Sequence, residues 1–360
     1  MSFLQKELEN RDLPNLLQLQ TGEMITGRDD WEQRRIELKE ILSREFIGYP
    51  PRFETVTDGA CLLEDGNAYG GKADMKTIQL TIKSSYSVMS FPFTLVLPKK
   101  RKEPPLFLYL SFSAAIADGI GEEIIDHGYA IANIYYQDMA PDYYDGHHNG
   151  LGRFASRNSF DSWGKLRMWA WGASRILDYL LFHEEIDAAR VAVMGHSRLG
   201  KAALVAGAFD ERFGLTAANE SGAGGAALFR GKTGERIRNL YGEGSRLWFC
   251  SNFFQYMEKE NQMPFDQHFL TALIAPRNLY IASAKQDLWS DPTSEFLNAI
   301  AVNKIYQIYG KQGIETADAY PKAGDVYHKG NIGYHLREGT HDLTRYDWHR
   351  IMEYRKLHDI

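Results

Sequence analysis

The spacing of apolar residues changes character twice along the chain. Within the first 50 residues, RDDWEQRRIELKEILSREFIG sets Trp31, Ile36, Leu38, Ile41 and Leu42 among charges, which predicts a peripheral helix. Extended stretches follow. KTIQLTIKSS alternates Ile78, Leu80 and Ile82 with polar neighbours, and FPFTLVLP comes soon after, a pattern that predicts an antiparallel edge. Beyond KKRKEPP the apolar runs become short and nearly continuous. LFLYLSF (106–112) and YAIANIYY (129–136) read as strands covered on both faces, with a helix at GIGEEIIDHG between them. The alternation continues as helix 161–182, strand 190–194, helix 198–208, strands 214–219 and 278–284, helix 291–309, strand 332–337 and helix 344–356. Strands alternating with helices predict an α/β architecture with a mostly parallel central sheet flanked by helices. We read residues 1–360 as one such domain, with 1–70 as an N-terminal helical and extended extension.

Two segments break the alternation. QDMAPDYYDGHHNGLGRFASRNSF (137–160) is polar and rich in Gly and aromatics, and residues 222–269 separate two strands by far more than a usual loop. Insertions of this length in a compact domain commonly form lids or binding walls. Both leave from the carboxyl ends of strands, where open α/β sheets bind ligands.

Composition narrows the function. A net charge of −6, from 41 Lys+Arg against 47 Asp+Glu with no basic block, gives no footprint for nucleic acid. The two cysteines, Cys61 and Cys250, have no metal-ligand spacing, so no metal and no other cofactor is expected. No run reaches the roughly 18 apolar residues of a membrane span. The N-terminal MSFLQKELENRDLPNLL lacks the order of a signal peptide, which predicts a cytoplasmic protein, or a secreted one had a leader preceded it. Aromatics at 13% fit either a large aromatic core or a cleft that stacks on sugar rings.

Candidate chemistry lies in VAVMGHSRLGKAALVAGAF (191–209), where an apolar run ends at Gly195 and a helical segment follows Ser197. A serine at a tight strand-to-helix corner is lifted above the sheet, and the free N–H groups of the helix face a developing oxyanion. The usual pattern is G-x-S-x-G; here the second glycine, Gly200, comes one place late. An ordinary serine N-cap would give the same local sequence. A nucleophilic serine needs a base and a group to orient it. His341, in REGTHDLTRYDW directly after the last expected strand, is best placed as base. His335 lies within that strand, His349 and His358 on the terminal helix, and His268 is expected to bond Asp266 structurally. Two carboxylates follow adjacent strands, Asp287 in SAKQDLWSDP and Glu220 in AANESGAGG, and either can orient the imidazole or merely cap a loop.

Together GHSRLGKAAL, NESGAGG, MPFDQHFLTALIAPRNL, DLW and GTHDLT resemble the glucuronoyl esterases of the fifteenth carbohydrate esterase family, from about residue 105 to 355. The resemblance implies an α/β-hydrolase fold and a serine esterase acting through an acyl-enzyme. It implies Ser197 as nucleophile, His341 as base and Glu220, twenty-three residues after the serine, as principal acid, with Asp287 as partner or substitute. Arg198 would stabilise the oxyanion, while Lys201 and Trp289, and less strongly Glu243, would contact the sugar. The residue before the serine is His196, where fungal members carry cysteine. The expected substrate is a (4-O-methyl-)glucuronoyl ester of a small carbohydrate or oligosaccharide, with no nucleic-acid or membrane partner. A sugar or xylan acetyl esterase using the same triad, and a non-catalytic carbohydrate-binding homologue, are the alternatives.

Overall fold

The computed structural model describes residues 2–116, 119–154 and 160–360. Ten strands form its centre: β1 Val56–Asn67, β2 Ala73–Lys83, β3 Val88–Pro98, β4 Leu106–Ser111, β5 Ala130–Tyr135, β6 Val191–His196, β7 Leu215–Asn219, β8 Asn278–Ala284, β9 Val326–Tyr327 and β10 Ile332–Arg337. They lie side by side in the order β1-β2-β3-β5-β4-β6-β7-β8-β10-β9. From β5 to β10 the neighbours are parallel. The β1–β3 flank and β9 are antiparallel.

The continuous apolar runs follow from this placement. In β4, Leu106, Leu108 and Leu110 enter one buried cluster and Phe107 enters the other. Each strand side therefore needs an apolar residue, because helices cover both faces. Helices Lys165–His183, Arg198–Phe209 and Pro292–Ala301 pack on the first face, and Ile120–Asp126 and Arg345–His358 on the second. No described helix is long and apolar enough to cross a membrane.

Several expectations need correction. The helix Arg28–Leu42 is integral rather than peripheral, for Trp31, Leu38, Ile41 and Leu42 share the core cluster of β4. Ile36 is 71% exposed; five residues beyond Trp31, it lies about 140° round the helix, on the outer face. β2 is antiparallel, but the edge is β1, whose mostly exposed residues give little alternation to read. The helix expected over 291–309 is two, Pro292–Ala301 and Asn303–Ile308, with a turn at Val302 (φ −92°, ψ −2°) between them. Asn303 there turns its side chain to accept from the Ile314 N–H at 2.8 Å. His268 bonds the Pro14 carbonyl at 2.9 Å instead of Asp266. Asp266 is engaged by the Phe229 and Arg230 N–H groups at 2.7 and 3.0 Å, which tie the two ends of the 222–269 insertion to each other. Residues 155–159 of the other insertion lie outside the described residues.

Candidate active site

Parallel strands β6, β7, β8 and β10 are consecutive in the sheet, so their carboxyl ends lie side by side. Ser197 follows β6, Glu220 follows β7, Asp287 lies just past β8 and His341 just past β10. Residues up to 144 positions apart thus meet by topology alone.

Ser197 has φ 57° and ψ −126°, backbone that L-residues adopt only when their surroundings enforce it. Its N–H donates to the Asn219 carbonyl at 2.9 Å, and its own carbonyl accepts from Lys201 at 3.1 Å. The corner requires glycine at 195, where a Cβ would sit 2.2 Å from the Leu199 carbonyl oxygen. Gly200 is closely packed too, 3.1 Å from the Gly195 carbonyl oxygen by the same measure. Directly after Ser197, the first N–H groups of helix Arg198–Phe209 have no intrahelical acceptor and carry the positive end of its dipole.

The His341 ring stacks obliquely on His196, centroids 4.5 Å apart, which places it beside the residue preceding the serine. Its Nδ1 bonds Asp287 Oδ2 at 2.6 Å and lies 3.3 Å from Glu220 Oε2. This order of distances is the reverse of the order of importance that the family resemblance implies. Burial works against the imidazolium, but the bonds to Asp287 and Glu220 outweigh it and raise His341 to about 9. Burial likewise opposes ionisation of Asp287, yet the His341 and Ser290 bonds bring it down to about 2. For Glu220 burial wins and lifts the carboxyl to about 7, against His341 and Arg337. His196 is held neutral, lowered to about 4 chiefly by burial, while its Nδ1 bonds Asn219 Oδ1 at 2.8 Å.

The donor atoms of Glu220, Asp287 and His341 lie within 4.8 Å of one another, close enough for a metal site. Their lone pairs are already engaged, however. Glu220 accepts from Arg337 and from the Asp342 N–H, and Asp287 from His341 and the Ser290 N–H. The trio is wired as an imidazole with two carboxylates.

On the other side of Ser197, Arg198 pairs with buried Asp142 and lies over the Trp248 ring at 4.7 Å. Asp142 is fixed in turn by Trp248 Nε1 at 2.7 Å and the Tyr136 hydroxyl at 3.1 Å. Lys201 is only 4% exposed; its Nζ donates to the Ser221 carbonyl at 2.7 Å and lies 3.8 Å from Glu235. Trp289 is 54% exposed beside Asp287, which excludes a core role, and its carbonyl accepts from the Glu235 N–H. Glu243 is exposed, next to Gly244, whose Cβ position lies 3.9 Å from the Asp142 carbonyl oxygen. It is therefore near Asp142, the partner of Arg198. Sequence reasoning missed Asp142, Trp248, Glu235 and Arg337. Only Arg337 left a local signal, a charged residue closing the otherwise apolar IGYHLR.

Fold and site together define a carboxylic-ester hydrolase on the α/β-hydrolase scaffold. A family model described as "Glucuronyl esterase, fungi" matches residues 80–310, more than half of the chain. The chain belongs to the glucuronoyl esterase family. It is 34% identical to carbohydrate esterase MZ0003 of an unknown prokaryotic organism, over 96% of this chain and 89% of that one. Identity to the 4-O-methyl-glucuronoyl methylesterase of Podospora anserina is 32%, over 76% of this chain but only 56% of the fungal protein. A solved promiscuous CE15 esterase from the marine bacterial metagenome superposes with a TM-score of 0.88 at 33% identity, covering 96% of each chain.

Proposed function

We propose that this chain hydrolyses glucuronoyl esters of carbohydrates, 4-O-methylated or not, through an acyl-enzyme on Ser197. The observation that carries this reading is the convergence of Ser197, His341 and two carboxylates on four adjacent strand ends. His341, its Nδ1 engaged by the acids, takes the Ser197 proton on Nε2 as Oγ attacks the ester carbonyl. The oxyanion is held by N–H groups at the helix start and by Arg198, which Asp142 and Trp248 keep in place. Collapse of the tetrahedral intermediate expels the alcohol, which takes the proton from His341. Water then attacks the acyl-enzyme with His341 again as base, releasing the uronic acid and free Ser197. Asp287 is the principal orienting acid and Glu220 its partner, on the strength of the shorter bond and the fuller ionisation of Asp287.

A uronate ester has its carbonyl on the sugar ring, so the acyl half is the bulky half and must be gripped beside Ser197. The half-exposed Trp289 ring suits a sugar face, and the Lys201–Glu235 pair suits its hydroxyls. An acetyl ester needs only a small acyl pocket. The test compares methyl and benzyl glucuronate with sugar acetates and nitrophenyl acetate, in the wild type and Trp289→Ala. We expect glucuronate turnover, with Trp289→Ala lowering its kcat/KM by about 1–2 kcal/mol, the scale of burying part of a ring, and nitrophenyl acetate hydrolysis nearly unchanged. Hydrolysis of sugar acetates with none of the glucuronates would establish the acetyl esterase alternative instead.

A further inference from the structure

Arg337, the last residue of β10, is almost wholly buried four residues before the base, and its guanidinium engages the loop that carries the base, Glu220 and the start of the terminal helix. Nη2 donates to Glu220 Oε1, to the Thr340 carbonyl at 3.0 Å and to the Asp342 carbonyl at 2.7 Å, so it grips the chain on both sides of His341. Nη1 donates to the Glu338 carbonyl at 3.0 Å. Nε reaches both oxygens of Asp347 at 3.1 Å. Asp347 is itself the anchor of the terminal helix, accepting from the Thr344 N–H and hydroxyl at 2.7 Å and bonding His335 Nε2 at 2.9 Å.

We infer that Arg337 is a positioning residue for the esterase reaction, holding Glu220 as the second carboxylate of the imidazole and fixing the loop that carries His341. The inference rests on the proposed roles of Ser197 and His341. Only a guanidinium has five donors in one plane, so a lysine ammonium at this place cannot bond the carboxylate, the loop carbonyls and Asp347 at once. The charged and titratable groups facing Glu220 are His341, Asp287, Asp342, Arg337 and Glu295, with Asp347 on the far side of the guanidinium. Among them Arg337 is the permanent cation. Without it, a carboxyl that burial already lifts would stand near Asp287 and Glu295 with no cation but His341 and would take up a proton. A protonated Glu220 no longer stabilises the His341 imidazolium.

The experiment measures kcat and KM against pH for wild type, Arg337→Met, Arg337→Lys, Glu220→Gln and the Arg337→Met/Glu220→Gln double variant. Methyl glucuronate and nitrophenyl acetate both serve as substrates, and near-UV circular dichroism reports folding. Ser197→Ala is assayed alongside: if it remains active, the reaction reading itself has failed, and the Arg337 comparison is otherwise independent of which ester is used. In Arg337→Met the ascending limb of kcat should move to lower pH by about one unit, and plateau kcat should fall about tenfold or more with KM within about twofold. Glu220→Gln should move the limb equally, and the double variant should move it no further. Arg337→Lys, which keeps the charge and loses the fork, should restore the limb but not the plateau. It carries the test should Arg337→Met fail to fold. A folded Arg337→Met with an unmoved limb, a further shift in the double variant, or a wild-type plateau in Arg337→Lys would overturn the inference.

Discussion

The ends of β7 and β8 deliver a carboxylate each to one nitrogen of one ring, and the two carboxylates behave differently. Asp287 sits closer, bonds the imidazole directly, and stays ionised down to about pH 2. Glu220 is buried more deeply, divides its oxygens among Arg337, the Asp342 N–H and His341, and holds its proton up to about pH 7. Its backbone also takes a positive φ of 46°, in the left-handed region that non-glycine residues seldom adopt. Proximity to the base alone does not set a carboxylate's part in the reaction. How much desolvation each one bears, and which cation offsets it, separates an orienting acid from a supporting one.

Removing each acid in turn is the strongest way to break this comparison. Asp287→Asn should lower kcat by about 10²–10⁴, because an amide cannot stabilise the imidazolium and can fix the wrong tautomer. Glu220→Gln should cost about tenfold, and the double variant should fall well short of the product, since both groups serve one ring. Equal losses from the two single variants, measured as kcat on the same ester, would erase the distinction between the strand ends.

The pH profile sharpens the same point with a smaller effect. His341 must be neutral to accept the Ser197 proton, and the two carboxylates favour its charged form up to about pH 9. In the wild type, kcat/KM should therefore climb above neutral pH, reach half its limit near pH 9 and level off only at higher pH. Deleting an anion weakens the charged form, so the limb should move toward lower pH, further for Asp287→Asn than for Glu220→Gln. Movement in the opposite direction would contradict the assignment of these groups.

What the sequence made legible followed the physics of each element. β4, β5 and β6 are largely buried on both faces, and their nearly unbroken apolar runs show it, whereas β8 and β10 are as buried although Asn278, Ser283, His335 and Arg337 interrupt theirs. β1 did not stand out, because VTDGACLLEDGN is an exposed edge that buries almost nothing. The four groups at the strand ends were readable from their places after strands. Their ranking was not, because it depends on burial and on Arg337, which lies 117 residues from Glu220. Asp142 was hidden for a similar reason, as its bonds to Arg198 and Trp248 span 56 and 106 residues. Lys201 was expected to face the cleft from its spacing alone. A helical turn fixes the direction of a side chain but not its partners, and those of the ammonium, the Ser221 carbonyl and Glu235, lie outside that helix.

The central claim is that the corner after β6 presents an activated nucleophile. Treatment with a fluorophosphonate, followed by mass analysis of the digested protein, tests it most directly. One adduct per chain is expected, on the peptide that carries Ser197, with its rate of formation sharply reduced in His341→Ala. An adduct on a different serine, or full esterase turnover after Ser197 has been blocked, would contradict it.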